Sequence, residues 1–238
     1  MSALGHYLEE EGIATVAIAL IRPQAENTKP PRALWVPFEL GRPFGPPRDR
    51  VFQKRVLMTA LRLLERANGP VLIEDFLEDD PRASPDPSWP APVVPRPSEP
   101  LAEALVSEMP LLQSAHDAWV AQHARTTVGL AGLPIADCVG YVADWLRGKA
   151  PASSRDGYSA PLLLRFAVDD IKAWWLEAAA AGDARPASRQ LGDWFWNESA
   201  AGAAIYALQA VLQQSDDDRL KLIVANFMVP AARARTAG

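Results

Sequence analysis

The stretch Gly12–Pro47, "GIATVAIALIRPQAENTKPPRALWVPFELGRPFGPP", decides the fold class. In its first part, "IATVAIAL" is apolar at every position except Thr15 and carries β-branched residues, which predicts a parallel strand covered on both faces. Continued through Ile21, this apolar run is only roughly half of the ~20 residues a helix needs to cross a bilayer. "RALWVPF" predicts a second, weaker strand, and Pro37 ends its pairing or puts it at an edge. Upstream, "LGHYLEEEG" sets Leu4, Tyr7, Leu8 and Glu11 at helical spacing and stops at Gly12, the residue type favoured just past a helix end.

Downstream, "DRVFQKRVLMTALRLLERANG" interleaves charge with Val51, Val56, Met58, Leu61, Leu63 and Leu64, and Gly69 follows as a stop. This predicts an amphipathic helix of about five turns. "PVLIEDF" reads as a last short strand or extended tail. The order helix, strand, loop, strand, helix, strand belongs to an open α/β sheet. A buried strand with no partner strand ahead of it leads us to expect a further βα unit, either upstream of Met1 or supplied by another chain.

Between Pro81 and Pro100, "PRASPDPSWPAPVVPRPSEP" holds eight prolines, whose fixed φ and missing N–H exclude regular helix or a central strand. The expected organisation is therefore residues 1–80 as a partial α/β domain, 81–100 as an extended linker and 101–238 as a helical bundle. In the last part, helices are expected at Leu101–His123, Ile135–Leu146, Val168–Ala181, Ser188–Gln214 and Asp217–Met228. Leu191, Phe195, Gly202, Ile205, Leu208 and Leu212 form one stripe of the fourth.

Composition narrows the function. The 24 basic and 29 acidic residues give a net charge of −5, which offers no footprint for nucleic acid or an anionic membrane. The N-terminal region carries Glu9, Glu10 and Glu11 in place of a basic leader, so a cytoplasmic protein is expected. One cysteine, Cys138, forms no internal disulfide, and His6, His116 and His123 make no cluster at metal-ligand spacing. No metal and no cofactor is assigned from the sequence.

The loop "PPRALWVPFELGRPFGPP" carries the candidate substrate-binding residues. Loops at the carboxyl ends of parallel strands are where open α/β sheets bind ligands. Gly41 and Gly45 among prolines fix its path, Arg32 and Arg42 are placed to hold an anion, and Gln53 opens the following helix near its positive end. A rigid structural loop with solvated arginines fits the same residues. Neither a GxGxxG nor a GxxxxGK[ST] fingerprint is present.

"LEEEGIATVAIALI", followed by "PPRALWVPFELGRPFGPP" and "RVFQKRVLMTALRLLE", resembles the C-terminal half of the selenoprotein B family of the glycine, sarcosine, betaine and D-proline reductases. The resemblance covers about a third of the chain, Gly5 to about Asp80. Its most specific parts are the GIxTV strand, the PPR turn, the paired glycines among prolines, and Gln53. It implies a flavodoxin-like open parallel sheet and reductive cleavage of a small amine or amino-acid derivative, with other reductase subunits as partners. In that family a U/CxxC motif, a selenocysteine or cysteine pair, sits on the loop before the helix that leads into the GIxTV strand. Met1 lies just past that place, so the expectation is either a reading frame that starts upstream or a diverged member without the motif, inactive as given. The family's chemistry, as the resemblance implies it, needs a low-pKa selenolate or thiolate and a resolving cysteine.

The alternative class is a non-catalytic binding or assembly subunit that acts through the helical domain, with self-association at the unpaired sheet edge. Within the helical part, Cys138 is expected to be a buried structural thiol. Trp174, Trp175, Trp194 and Trp196 are expected to pack the core. His116 and His123 are expected to be exposed polar positions. Glu198 falls seven residues after Leu191, on the same apolar stripe, and a carboxylate buried there needs a partner. Glu177, Asp170 or Arg189 is placed to provide one, or two carboxylates could form a small-molecule or metal site. Asp216, Asp217 and Asp218 read as an acidic helix start.

Overall fold

A computed structural model describes residues 2–230 and 233. The chain divides into two compact units, Met1–Ser84 and Pro85–Gly238.

The first unit is built on a three-stranded parallel sheet in the order β1 (Ala17–Ala19), β2 (Arg32–Trp35), β3 (Leu72–Asp75). Helix α1 (Ser2–Glu10) precedes it, α2 (Arg22–Thr28) connects β1 to β2, and α3 (Arg50–Arg62) connects β2 to β3. The expected loop after β1 is thus the helix α2, started by Pro23 in its first turn and ended by Lys29 in the left-handed region. The strand β1 is shorter than "IATVAIAL" suggested, and it is an edge strand with all three residues half-buried rather than covered on both faces. The core lies between the sheet and α3. Leu34, Val36, Phe38 and Phe76 meet Phe52, Val56, Ala60 and Leu63, the i, i+4, i+8, i+11 positions of the helix and the turn after it.

The second unit is all helical: α4 (Leu101–His123), α5 (Ile135–Leu146), α6 (Ala160–Ala179), α7 (Ser188–Glu198), α8 (Ala200–Leu212) and α9 (Asp218–Ile223), the last running into a π-helical turn at Val224–Met228. Its core holds Trp174, Trp175, Trp194, Phe195 and Trp196 against aliphatic residues of α4, α5, α6 and α8. The single helix expected over Ser188–Gln214 is broken at Ser199. The Ser199 hydroxyl donates to the Phe195 carbonyl at 2.7 Å and accepts from the Gly202 amide at 3.0 Å, so it closes α7 and caps α8. Gly202 sits at this corner because a side chain there would run into the Phe195 carbonyl. Asp217 caps α9 through the Arg219 and Leu220 amides.

From Pro85 on, the Pro-rich stretch is strapped to the helical unit. Gln190 exchanges two hydrogen bonds with the Asp86 backbone, each 2.9 Å, the Trp89 indole donates to the Ala179 carbonyl, and the Trp194 indole donates to the Pro92 carbonyl. Among the described residues no helix is long and apolar enough to cross a membrane.

Candidate functional site

The connection from β2 to α3 runs as a string of tight turns. The Arg42 amide bonds the Glu39 carbonyl at 3.0 Å and the Gly45 amide bonds the Arg42 carbonyl at 2.9 Å. Asp49 caps α3 by accepting from the Phe52 amide at 3.0 Å. The Gln53 side chain reaches back to donate to the Pro46 carbonyl at 2.9 Å, and the Arg82 guanidinium donates to the Pro47 carbonyl at 3.2 Å. Beneath them Phe38, Phe52 and Phe76 form a mutually tilted trio with ring centres 5.5–6.0 Å apart. Gly45, at φ +79°, lies directly on the Phe52 ring, where a Cβ would come within 2.5 Å of a ring carbon. The loop is therefore anchored at both ends and from below, and its crown, Leu40–Arg42, is exposed.

Four of the five predicted residues meet here. Gly41, Arg42 and Gly45 form the crown and its hinge at the carboxyl end of β2, and Gln53 holds the loop to the helix. Arg42 faces solvent, with Glu39 3.9 Å away. Arg32 does not join them: it opens β2 at the opposite end of the strand, and its guanidinium pairs with Glu9 at 2.5 Å. The Thr15 amide, then, against the opposing effect of burial, Arg32 and the Thr15 hydroxyl, hold the Glu9 carboxyl below its ordinary range. Arg32 thus ties α1 to the sheet.

Sequence reasoning missed what flanks the loop. From Phe44 and Gln53 a groove of about 1090 Å³ extends along α3, lined by Val51, Leu57 and Met58 and rimmed by Arg50, Lys54, Arg55 and Arg62. Arg55 pairs with Glu78 at 2.7 Å; among the described residues no carboxylate lies within ion-pair distance of Arg50, Lys54 or Arg62. The signal was in "RVFQKRVLMTALR", which holds four cations and no acid.

Among the described residues the helical unit buries three carboxylates, and each is occupied. Glu108 of α4 accepts from the Trp175 indole at 2.6 Å and from the Ala200 and Ala201 amides, at the N-terminus of α8. Burial pushes its carboxyl above the ordinary range despite those donors. Asp170 of α6, fully buried, accepts from the amides of Gly129, Leu130 and Ala131 at 2.8–2.9 Å. Glu177, two turns further along α6, accepts from the Thr126 hydroxyl, the Thr127 amide and the Thr127 hydroxyl, each at 2.7 Å, and from His116 at 3.1 Å. Burial pushes Glu177 up, and these donors together outweigh it and hold it below the ordinary range.

His116 is accordingly buried, stacked on Trp174 at 4.8 Å, where an exposed position was expected. Glu198 is exposed, so the carboxylate site proposed around it has no basis; α7 buries Trp194, Phe195 and Trp196 and leaves Leu191 only half-buried, so the line from Leu191 to Glu198 is not the face that meets the core. His123 is exposed and stacks on Trp119. Cys138 is fully buried, and burial first, then the charges of Asp170 and Asp137, push its thiol up to about 12. Among the described residues no group of three or more His, Cys, Asp or Glu is placed to hold a metal ion.

No family model, curated protein or solved structure matches the chain. The functional reading rests on the site and on the sequence resemblance of Gly5 to about Asp80. Of the two units, the α/β unit offers exposed polar groups at the carboxyl end of a parallel sheet, held only by a surface ion pair or a backbone carbonyl, whereas the buried carboxylates of the helical unit are spent on loops and helix ends.

Proposed function

We propose that this protein is a cytoplasmic component of a reductive-cleavage system of the glycine, sarcosine, betaine and D-proline reductase type, acting on a small amine or amino-acid derivative. Its share is to hold the substrate side of the site. The observation that carries the reading is the anchored loop after β2, which presents Gly41 and Arg42 at the carboxyl end of the sheet. Arg42 offers a guanidinium fork suited to a substrate carboxylate.

Reductive cleavage of a C–N bond consumes two electrons and needs a thiolate or selenolate to deliver them. The chain's one thiol is buried and pushed up to about 12, so it supplies no thiolate near neutral pH. In this reading the redox pair acts from outside residues 1–238, and other reductase subunits are the natural source.

The test is an NMR titration of the ¹⁵N-labelled chain with glycine, betaine and D-proline. The amides of Gly41, Arg42 and Gly45 are expected to shift saturably with at least one of them, and Arg42→Ala to abolish the shift. Unmoved amides at about 50 mM ligand, a concentration that even a weak, ~4 kcal/mol interaction saturates, refute the reading. A second reading, a non-catalytic assembly subunit, is favoured by β1, an apolar edge strand left half-buried. Under it none of the three ligands moves the crown.

A further inference from the structure

The first unit carries two exposed amphipathic helix faces of opposite charge. On α3, Arg50, Lys54, Met58 and Leu61 fall at i, i+4, i+8 and i+11, one exposed stripe on the side away from the buried Phe52, Val56 and Ala60. On α1 and the turn after it, Leu4, Tyr7 and Glu11 fall at i, i+3 and i+7, with Glu10 beside them, and all four are exposed. Leu4 is 53% and Tyr7 67% exposed, large for apolar side chains on so short a helix. Glu9 is engaged with Thr15 and Arg32, whereas Glu10 and Glu11 have no ion-pair partner among the described residues.

The charges are also the wrong sign for their own helices. Arg50 and Lys54 sit at the positive N-terminal end of α3, and Glu10 and Glu11 at the negative C-terminal end of α1. Neither pair stabilises the helix that carries it, and each is complementary to the other.

We propose that the α3 groove is a docking site for α1 of a second copy of this chain. Run antiparallel, α1 sets Leu4 against Leu61, Tyr7 against Met58, and Glu11 against Lys54, because the two stripes advance by the same seven residues. Antiparallel packing also brings the acidic end of α1 to the positive end of α3. Each copy holds both faces, so a two-fold dimer would make the contact twice and close, whereas a head-to-tail arrangement would extend into longer chains that the same sedimentation experiment separates from a dimer. The contact uses Arg50–Leu61 and leaves the loop crown at Gly41 and Arg42 free, so it stands or falls separately from the substrate reading.

The experiment is sedimentation velocity on the full chain from about 5 to about 500 µM, the range in which interfaces of this small size assemble. Wild type is expected to shift from monomer to dimer, and to shift back when salt rises from about 0.05 to about 0.5 M, where screening shortens to a few ångströms. The double variants Arg50→Glu/Lys54→Glu and Glu10→Lys/Glu11→Lys are each expected to stay monomeric while keeping the wild-type circular dichroism. Mixed one to one they are expected to dimerise, because both contacts then pair opposite charges. A wild type that stays monomeric throughout overturns the proposal and leaves the groove to an acidic segment of another protein. A dimer that neither double variant breaks overturns it too, and points to the β1 edge.

Discussion

Replacing Asp170 with Ala tests whether the helical unit depends on its buried carboxylates. Asp170 is fully buried and accepts three backbone hydrogen bonds, from Gly129, Leu130 and Ala131. In Asp170→Ala the Gly129 and Leu130 amides lie near the surface and revert to water, at about 1 kcal/mol each. Ala131 is fully buried, so its amide is stranded at about 2 kcal/mol. The desolvation cost carried by the wild-type carboxylate is recovered, which brings the net loss to about 3 kcal/mol. For a unit of this size that lowers Tm by about 6–12 °C. Seven of the eight tryptophans lie at or beyond Trp89, so tryptophan fluorescence follows this unit's unfolding almost alone. Asp170→Asn keeps an oxygen for Gly129 and Leu130 but sets its own buried NH2 against the Ala131 amide, donor to donor, and is expected to lose about as much as the alanine variant. A Tm shift below about 3 °C in the alanine variant, with hydrogen exchange at the Ala131 amide unchanged, would refute the reasoning.

Glu177 and Glu108 should give pH dependences of opposite sign. Glu177 is held low, so its stabilisation is complete above the ordinary carboxylate range and is lost as pH falls through its folded value; Glu177→Gln should flatten the acid limb of a urea-midpoint profile. Glu108 is raised, so its contribution falls as pH rises from the ordinary range through the folded value, and Glu108→Gln should flatten that limb instead. Gly45→Ala combines positive φ with a clash on Phe52 and should cost about 2–4 kcal/mol, whereas Gly41→Ala, at φ +90° in open space, should cost about 1 kcal/mol; exchange of the Val56 and Ala60 amides reads both. Cys138 should resist a thiol reagent at pH 8 in the native state and react on unfolding, and modification of the native protein within minutes would contradict its burial.

The fold class was legible because apolar runs and helical stripes are dense in this chain, and the places where the reading slipped have definite causes. Hydrophobic content predicted a doubly covered β1, but content does not report how many strands lie beyond it, and β1 is an edge. The helix α2, "RPQAENT", carries no apolar stripe; Ala25 alone is buried, and Pro23 at its start was its only marker. The break at Ser199 hid because Leu191 and Phe195 continue in phase with Ile205 and Leu208, although "NESAAG" contains both a capping serine and the glycine that the corner requires. His116 was expected at the surface with His123, seven residues on along the same helix, and only the fold brings Glu177 to it, sixty-one residues on. At the candidate site, loop chemistry singled out Gly41, Arg42, Gly45 and Gln53, and the structure brings these four together on the connection from β2 to α3. Arg32 fell outside because sequence proximity to a loop does not say at which end of a strand a residue lies.

The two units spend their polar groups in opposite ways, and this directs where chemistry belongs. Each buried acid of the helical unit is a cap made at long range: Glu108 satisfies the first amides of α8, Asp170 three successive amides, and Glu177 the turn at Thr126 and Thr127. Removing any proton acceptor from this set strands donors that water reaches poorly, so these residues have little freedom to exchange protons or ligands without loosening the fold. The α/β unit has a core cluster of aromatic and aliphatic residues, with its one buried acid among the described residues, Asp80, capping a short turn at its edge, and its cations at Arg42, Arg50, Lys54 and Arg62 project from the carboxyl end of the sheet and from α3. Those groups can change partners without a cost to folding. The two proposed ligands, a substrate carboxylate at the loop crown and a glutamate pair from a second chain on α3, would both draw on that exchangeable set of cations, and neither would require the helical unit to give up a buried acceptor.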